Sequence, residues 1–458
     1  MTLIKSISGI RGTIGGEPGN NFTPIDIVEC TAGFGIWLSK RSKIRRITVG
    51  RDGRISGEMV SELAIQTLIA LGFEVIDLGY STTPTVEIAI PETNSSGGIV
   101  FTASHNPAQW NALKFLNEKG EFISASEGEE VLRIIAEKEL CFAEVSNLGS
   151  RVIRQDLISV HANQILNLPL VNVELIAARK FHVVIDAINS TGAIALPILL
   201  DRLGVSYEIL NGEINGVFSH NPEPLPEHLA EIMNKVPASK ADLGIVVDPD
   251  VDRLAFIDEK GNWFGEEYTL VAVADYILSK TSGNTVSNLS STKALKDITE
   301  KHGGNYFAAA VGEVNVVTKM KEVSAIIGGE GNGGIIYPEL HYGRDALVGV
   351  ALVLSYLAET KLTMSAWRNL LPNYFISKNK IELNGVELEK IFKEVSAKFS
   401  SFPQSNIDGL KIDFPDGWIH LRSSNTEPII RLYAEGPDQI RAEYYASEVL
   451  NIVRILQP

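Results

Sequence analysis

The chain of 458 residues is 45% hydrophobic and 21% charged, an ordinary balance for a folded protein, which excludes wholesale disorder. Its 41 Lys and Arg stand against 56 Asp and Glu, a formal net charge of −15. Such a surface repels nucleic-acid phosphates and anionic lipid, so the expectation is no nucleic acid and no membrane partner.

The length suggests roughly three domains at about 150 residues each. Cys30 and Cys141 are the only cysteines and lack CxxC spacing, so no disulfide framework is expected. The opening MTLIKSISGIRG has no long apolar run, and the apolar stretch 346–358 is well short of the ~20 residues that cross a bilayer. A soluble, cytoplasmic protein is the resulting expectation.

One pattern recurs three times. The β-branched run 47–49 leads into GRDGRISG, then the helical SELAIQTLIALG, then the apolar FEVIDLG. Near Val183 the order returns as HVVID, AINSTG, AIALPILLDRLG and VSYEIL, and from Asn284 as TVSNLS, ALKDITEKHGG and NYFAAAVG. Each copy reads as strand, Gly-containing loop, amphipathic helix and strand, the sign of a βαβ unit in a mainly parallel sheet. From Asn373 the chain alternates short strands (KNKIELN, LKIDF, GWIHLR, IIRLYAEG) with two helices, which predicts an α+β unit with an antiparallel sheet. The predicted fold class is three tandem mixed or parallel-sheet α/β domains followed by a C-terminal α+β domain, divided as 1–148, 149–254, 255–372 and 373–458.

Four loops carry chemistry. TASHNP (102–107) follows the buried run GGIVF, and its Asn-Pro step excludes a helix. Ser104 there is either a nucleophile or phosphate carrier at the mouth of a sheet, or a turn serine. DPDVDR (248–253) places three carboxylates at alternate positions, which can converge on a hard cation such as Mg²⁺ or form a solvated acidic turn. Three anions this close repel strongly without a cation, and the spacing is not that of an EF-hand.

GGEGNGG (328–334) formally contains GxGxxG, but the following IIYPELHYG is strand-like and Pro-broken rather than helical, so a nucleotide site is rejected. Glu330 and Asn332 in a Gly-rich loop can approach sugar hydroxyls; the alternative is a flexible turn. RSSNTEP (422–428), followed by Arg431, is either a phosphate cradle or a polar hairpin turn. Arg11 and Lys114 are further cations near loops, which taken singly read as solvated surface charges.

In this order and spacing TASHNP, DPDVDR, GGEGNGG and RSSNTEP, with SGIRGTIG at the start, resemble the α-D-phosphohexomutase superfamily over essentially the whole chain. The resemblance implies four domains around a central cleft. It makes Ser104 the residue that carries the phosphoryl group, and Asp248, Asp250 and Asp252, with a phosphate oxygen on Ser104, the Mg²⁺ ligands. His105, Glu330 and Asn332 would contact the sugar, while Arg422, Ser423, Ser424, Asn425, Thr426 and Arg431 would hold the phosphate that is not reacting. Arg11, Lys114 and Arg253 would surround the transferring group, with Lys114 as proton donor or acceptor.

The implied reaction moves the phosphoryl group from Ser104 to a sugar monophosphate. The resulting hexose 1,6-bisphosphate, intermediate and activator, turns over and returns its other phosphate to Ser104. Ala310-Val311-Gly312-Glu313 resembles the Val-Gly-acid pattern of phosphoglucosamine mutases. GEGNGG departs from the usual bacterial form, with Asn332 where Ser is usual and Gly334 where His is usual, and resembles the archaeal-type enzymes. The role of that His is unfilled or passes to another residue such as His341. The expected reaction is interconversion of glucosamine 6-phosphate and glucosamine 1-phosphate by a monomer or homodimer. The alternatives are a phosphomannomutase/phosphoglucomutase of the same mechanism, a Mg²⁺-dependent sugar phosphatase, and a non-enzymatic sugar-phosphate sensor.

Overall fold

The computed structural model describes residues 2–6, 9–382, 387–423 and 429–456. The chain forms two compact units, one of residues 1–269 and 333–368, the other of residues 270–332 and 369–458.

In the larger unit, strands β1 (Ile4–Ser6), β2 (Gly9–Thr13), β3 (Arg46–Arg51), β4 (Glu74–Tyr80), β5 (Gly98–Phe101), β6 (Trp110–Leu116) and β7 (Ser150–Ile153) form one sheet in the order β1-β2-β6-β5-β3-β4-β7. β3 is parallel to β4 and β5, and β4 to β7, whereas β6 is antiparallel to both β5 and β2. A second sheet follows, β8 (His182–Asp186), β9 (Ser206–Leu210), β10 (Leu243–Val247) and β11 (Leu254–Ile257), in the order β11-β10-β8-β9. β8, β9 and β10 are parallel, and β11 turns back antiparallel to β10.

The predicted repeats are the β3–helix–β4 and β8–helix–β9 crossovers, through the helices Gly57–Ala70 and Gly192–Leu203. All five residues of β10 (LGIVV) are buried, as a central strand covered on both faces requires. β7 and β11 join these sheets, so both sheets run a few residues past positions 148 and 254.

In the smaller unit the strands Tyr306–Ala309, Asn284–Asn288 and Ala325–Glu330 lie side by side and parallel, with the helix Ala294–Lys301 in the third crossover. The C-terminal sheet is antiparallel throughout, in the order Phe375–Glu382, Ile429–Gly436, Gly417–Ser423, Leu410–Phe414 and Gln404–Ser405. Helices Leu388–Lys398 and Gln439–Leu456 close a core that includes Ile391, Val395, Ile419, Leu432 and Val449. The fold is therefore the expected series of α/β sheets followed by an α+β end. Among the described residues no helix is long and apolar enough to cross a membrane.

Candidate active site

Ser104 sits just beyond the end of β5, in the left-handed backbone region (φ 49) and nearly buried. Its backbone N–H donates to Thr102 Oγ1 (2.9 Å), and Thr102 Oγ1 donates to Asp52 Oδ2 (2.6 Å). Beneath the loop lies Arg54, whose guanidinium donates to the carbonyls of Ser104 (2.5 Å), Asn106 (2.7 Å), Pro107 (2.8 Å) and Trp110 (3.0 Å) and, through Nε, to Asp52 (3.0 Å). Arg54 and Asp52 are fully buried, so the fixed fork of one guanidinium sets the path of the serine loop.

The Ser104 hydroxyl donates to Asp248 Oδ2 at 2.7 Å. Asp248, Asp250 and Asp252 follow β10, all with no solvent exposure, and ligand oxygens from the three lie within 4.8 Å of one another. Val251, between them, is buried at φ 61, unusual for a β-branched residue. Asp248 Oδ1 accepts the backbone N–H groups of Asp252 and Arg253. Burial, and after it the charges of Asp252 and Asp250, push the Asp248 carboxyl well above the ordinary carboxylate range. Asp250 Oδ2 accepts from Thr83 Oγ1 and from Lys114 Nζ (2.8 Å), and Asp252 Oδ2 accepts from Arg344 (2.6 Å). Asp250 Oδ1 and Asp252 Oδ1 are buried with no hydrogen bond among the described residues. Two stranded carboxylate oxygens beside a third carboxyl under repulsion form an oxygen-only donor set that fits a small hard divalent cation.

Cations border this loop. Burial works against the charge of Lys114, but Asp250 and Asp252 outweigh it and hold the ammonium protonated beyond its ordinary range. Arg11 on β2 pairs with Ala112 on β6, two residues before Lys114, so Arg11 and Lys114 belong to one face of adjacent strands. Arg253 approaches Glu223 at 3.4 Å, and its Nε is buried without a hydrogen bond among the described residues, leaving a donor for an anion. His105 Nδ1 lies 3.4 Å from Ser104 Oγ; burial, then the charges of Arg253 and Arg344, hold this imidazole neutral, well below its ordinary value.

In the smaller unit, Glu330 ends its strand buried, and its Oε1 accepts from Asn288 Nδ2 and the Gly312 N–H, both at 3.0 Å. Asn332 is partly buried in the same turn. Gly333, where the chain re-enters the larger unit, has φ +87, and a Cβ there would stand 2.3 Å from the Leu254 carbonyl oxygen of that same unit, so this position requires glycine. No helix follows the Gly-rich loop; the next element is the short strand Gly334–Ile336, as the rejection of a nucleotide site requires. Arg422 and Arg431 pair directly across two antiparallel strands; Arg422 Nε lies 3.5 Å from Asp408 Oδ2, and Arg431 has a buried Nε with no hydrogen bond among the described residues. Like charges placed opposite each other favour an anion between them. Ser423 is exposed at the end of its strand; Ser424, Asn425 and Thr426 lie outside the described residues.

His341 belongs to the larger unit, its Nδ1 3.3 Å from Glu87 Oε2 and its Nε2 3.4 Å from Asp345 Oδ2. Sequence reasoning missed Arg54, Asp52, Asn288, Thr83 and Arg344. The Asp-x-Arg of GRDGR was the one local signal, and it read only as a turn.

Models of the four domains of the phosphoglucomutase/phosphomannomutase family match in order: domain I at residues 3–141, domain II at 159–261, domain III at 265–374 and the C-terminal domain at 377–452. Fold and loops thus define a sugar-phosphate mutase, and the chain belongs to the phosphoglucomutase/phosphomannomutase family. A phosphoglucomutase/phosphomannomutase of Thermococcus kodakarensis is 33% identical over 441 residues, 95% of each chain. A phosphoglucosamine/phosphogalactosamine mutase of Sulfurisphaera tokodaii is 33% identical over 461 residues, 99% of each. Among solved structures, a family member from Burkholderia thailandensis superposes with a TM-score of 0.84 at 26% identity, covering 99% of this chain and 98% of its own. The protein is accordingly a phosphohexomutase, an isomerase, most like the phosphoglucosamine mutases.

Proposed function

We propose that this protein interconverts glucosamine 6-phosphate and glucosamine 1-phosphate in the cytoplasm through a phosphorylated Ser104 and a glucosamine 1,6-bisphosphate. The observation that carries the chemistry is the Ser104 hydroxyl bonded to a buried three-carboxylate loop with cations around it. Asp248, Asp250 and Asp252, with an oxygen on Ser104, would hold Mg²⁺; when bound, this ion neutralises charge on the transferring phosphoryl group. A free hydroxyl of the sugar phosphate attacks phosphorus on Ser104, the new O–P bond forms and the Oγ–P bond breaks. The net proton movement is from the attacking hydroxyl to Oγ. Lys114, kept protonated by Asp250 and Asp252, supplies the proton that Oγ takes up.

Arg11 and Arg253 draw charge from the transferring group, Glu330 and Asn332 orient the sugar, and Arg422 and Arg431 grip the phosphate that is not reacting. Swapping which phosphate occupies the arginine pair lets the bisphosphate return its other group to Ser104. One loop acts from each of the proposed segments 1–148, 149–254, 255–372 and 373–458. The glucosamine assignment rests on Val311-Gly312-Glu313 and on the names of the relatives. A second reading, mannose or glucose phosphates, is favoured by the Thermococcus relative's name.

Turnover of the three hexose 6-phosphates decides between them: glucosamine 6-phosphate is expected to be fastest, and equal or faster mannose 6-phosphate overturns the assignment. Labelled hexose 1,6-bisphosphate is expected to leave phosphate on Ser104. Ser104→Ala is expected to lower turnover by several orders of magnitude, since the covalent route is lost.

A further inference from the structure

Asp186 ends β8, and the chain then turns through Ile188 (φ 46) and Asn189 (φ 54) before helix Gly192–Leu203 begins. Both residues are buried in the left-handed backbone region, which a β-branched side chain such as that of Ile188 strongly avoids. Such a turn persists only where its surroundings impose it. Asp186 Oδ1 accepts the Ile188 N–H at 3.1 Å, and the Asn189 N–H donates to the Asn211 carbonyl at 2.8 Å. Asn189 Oδ1 accepts the Ser219 N–H at 3.2 Å. The residue that this turn aims is Ser190, which has no solvent exposure.

Ser190 Oγ accepts the Gly53 N–H at 2.9 Å and donates its single proton to the Pro249 carbonyl at 2.6 Å. Gly53 lies between Asp52 and Arg54, the pair that sets the path of the Ser104 loop, and Pro249 lies between Asp248 and Asp250. One buried hydroxyl therefore spans the clamp under the serine loop and the backbone of the Asp loop. The fit leaves no slack, since a Cβ on Gly53 would stand 2.9 Å from Ser190 Oγ, Ser190 Cα and the Asn189 carbonyl oxygen. The Asp loop has other attachments: Thr191 Oγ1 also donates to the Pro249 carbonyl (2.8 Å), and the Thr83 N–H donates to the Asp250 carbonyl (2.9 Å). What Ser190 adds is the bond to Gly53. Filling its space calls only for an alanine, whereas holding two functional loops in register calls for both hydrogen bonds.

We propose that Ser190 is a positioning residue for phosphoryl transfer, fixing the spacing between the Ser104 hydroxyl and the Asp loop through the Asp52–Arg54 clamp. It acts through the two loops and not on the reacting atoms, and the inference rests on the phosphoserine reaction proposed above. Without this hydroxyl the Asp loop stays anchored by Thr191 and Thr83 and keeps its affinity for a cation, while the serine loop shifts against it. In-line transfer tolerates little such drift, a misplacement of about 1 Å costing ~10²-fold in rate. The Thr83 contact and the bond from Ser104 to Asp248 limit the shift, so a loss of about tenfold is expected.

The test compares the full-length parent with Ser190→Ala and with Gly53→Ala, which keeps the hydroxyl but forces the two loops apart. One measurement is the rate at which saturating radiolabelled glucosamine 1,6-bisphosphate marks Ser104. In that step the sugar O–P bond breaks, the Oγ–P bond forms and the Oγ proton passes to the departing sugar oxygen. The other is the affinity for Mn²⁺, read by electron paramagnetic resonance as a probe of the oxygen-only Asp loop. Both variants are expected to label about tenfold more slowly than the parent, with Mn²⁺ affinity within about twofold of it and matching circular dichroism. Labelling at the parent rate in either variant overturns the proposal. So does an Mn²⁺ affinity that falls as far as the labelling rate, which would make Ser190 a mere prop of the Asp loop. A parent that takes no label on Ser104 sinks the phosphoserine reading and the proposal with it, whereas a labelled parent with an equally fast Ser190→Ala sinks the proposal alone. Rates are compared as ratios to the parent, so sugar preference does not enter.

Discussion

Asp248, Asp250 and Asp252 come from a single loop, whereas His161, His341 and Asp345 are gathered from a helix, a loop and a helix cap, with His161 and Asp345 184 residues apart. Each trio brings a side-chain nitrogen or oxygen from every member within 4.8 Å of the others. Their electrostatics run in opposite directions. In the Asp loop, burial and mutual repulsion lift Asp248 well above the ordinary range. At Asp345 burial also pushes upward, but His161 and His341 outweigh it and hold the carboxyl well below that range. A cluster of one charge sign tends to fly apart, and here the chain itself tethers its members a residue apart. A cluster of mixed sign attracts its own members, so they can be recruited from distant positions.

Substitutions at the two clusters are expected to separate activity from stability. Asp248→Asn is the larger perturbation of rate: turnover falls by about 10²–10³. In chelator-treated protein the same change relieves repulsion, so urea denaturation is expected to show stability gained by about 1 kcal/mol. A loss of stability there would break the contrast. Asp345→Asn leaves His161 buried without its carboxylate and is expected to cost about 3–5 kcal/mol in urea denaturation.

Glu435 supplies the reference case, a buried carboxyl that belongs to neither cluster. Burial pushes it up to about 7, against the weaker opposing pull of Thr292, the Lys293 N–H at 2.8 Å and Lys411. The folded protein keeps this proton where the unfolded chain, with its ordinary value of 4.5, has lost it. Its contribution is thus complete below pH 4.5, declines by about 3 kcal/mol as pH rises to 7, and is level above. Glu435→Gln is expected to remove that decline, as denaturation at pH 5, 6, 7 and 8 measures. Arg422→Ala is expected to be the mildest change, raising KM about tenfold with little change in kcat, because in the proposed reaction its partner would be the phosphate that does not react.

The comparison also explains what was legible in the sequence. The βαβ repeats appeared because strand and helix periodicities are local. The four loops appeared because their chemistry is packed into six or seven consecutive residues. The Asp52–Arg54 clamp stayed hidden, since nothing in GRDGR tells that its arginine is buried beneath carbonyls some fifty residues further on. Asn288 was invisible for the same reason: its partner Glu330 arrives from another strand. The edge strands β7 and β11 carry no repeat of their own, and only pairing with β4 and β10 defines them.

Val251 and Ser104, both twisted into a backbone region that side-chain-bearing residues avoid, carry a further consequence. A conformation this costly persists only because the surroundings impose it, at about 1–3 kcal/mol for each such residue. The carboxylates are therefore already aimed before any ion arrives, and capture of the ion demands little rearrangement. Replacing Val251 with glycine would relax the loop and let it wander, exchanging a poised receptor for a more comfortable but slower one.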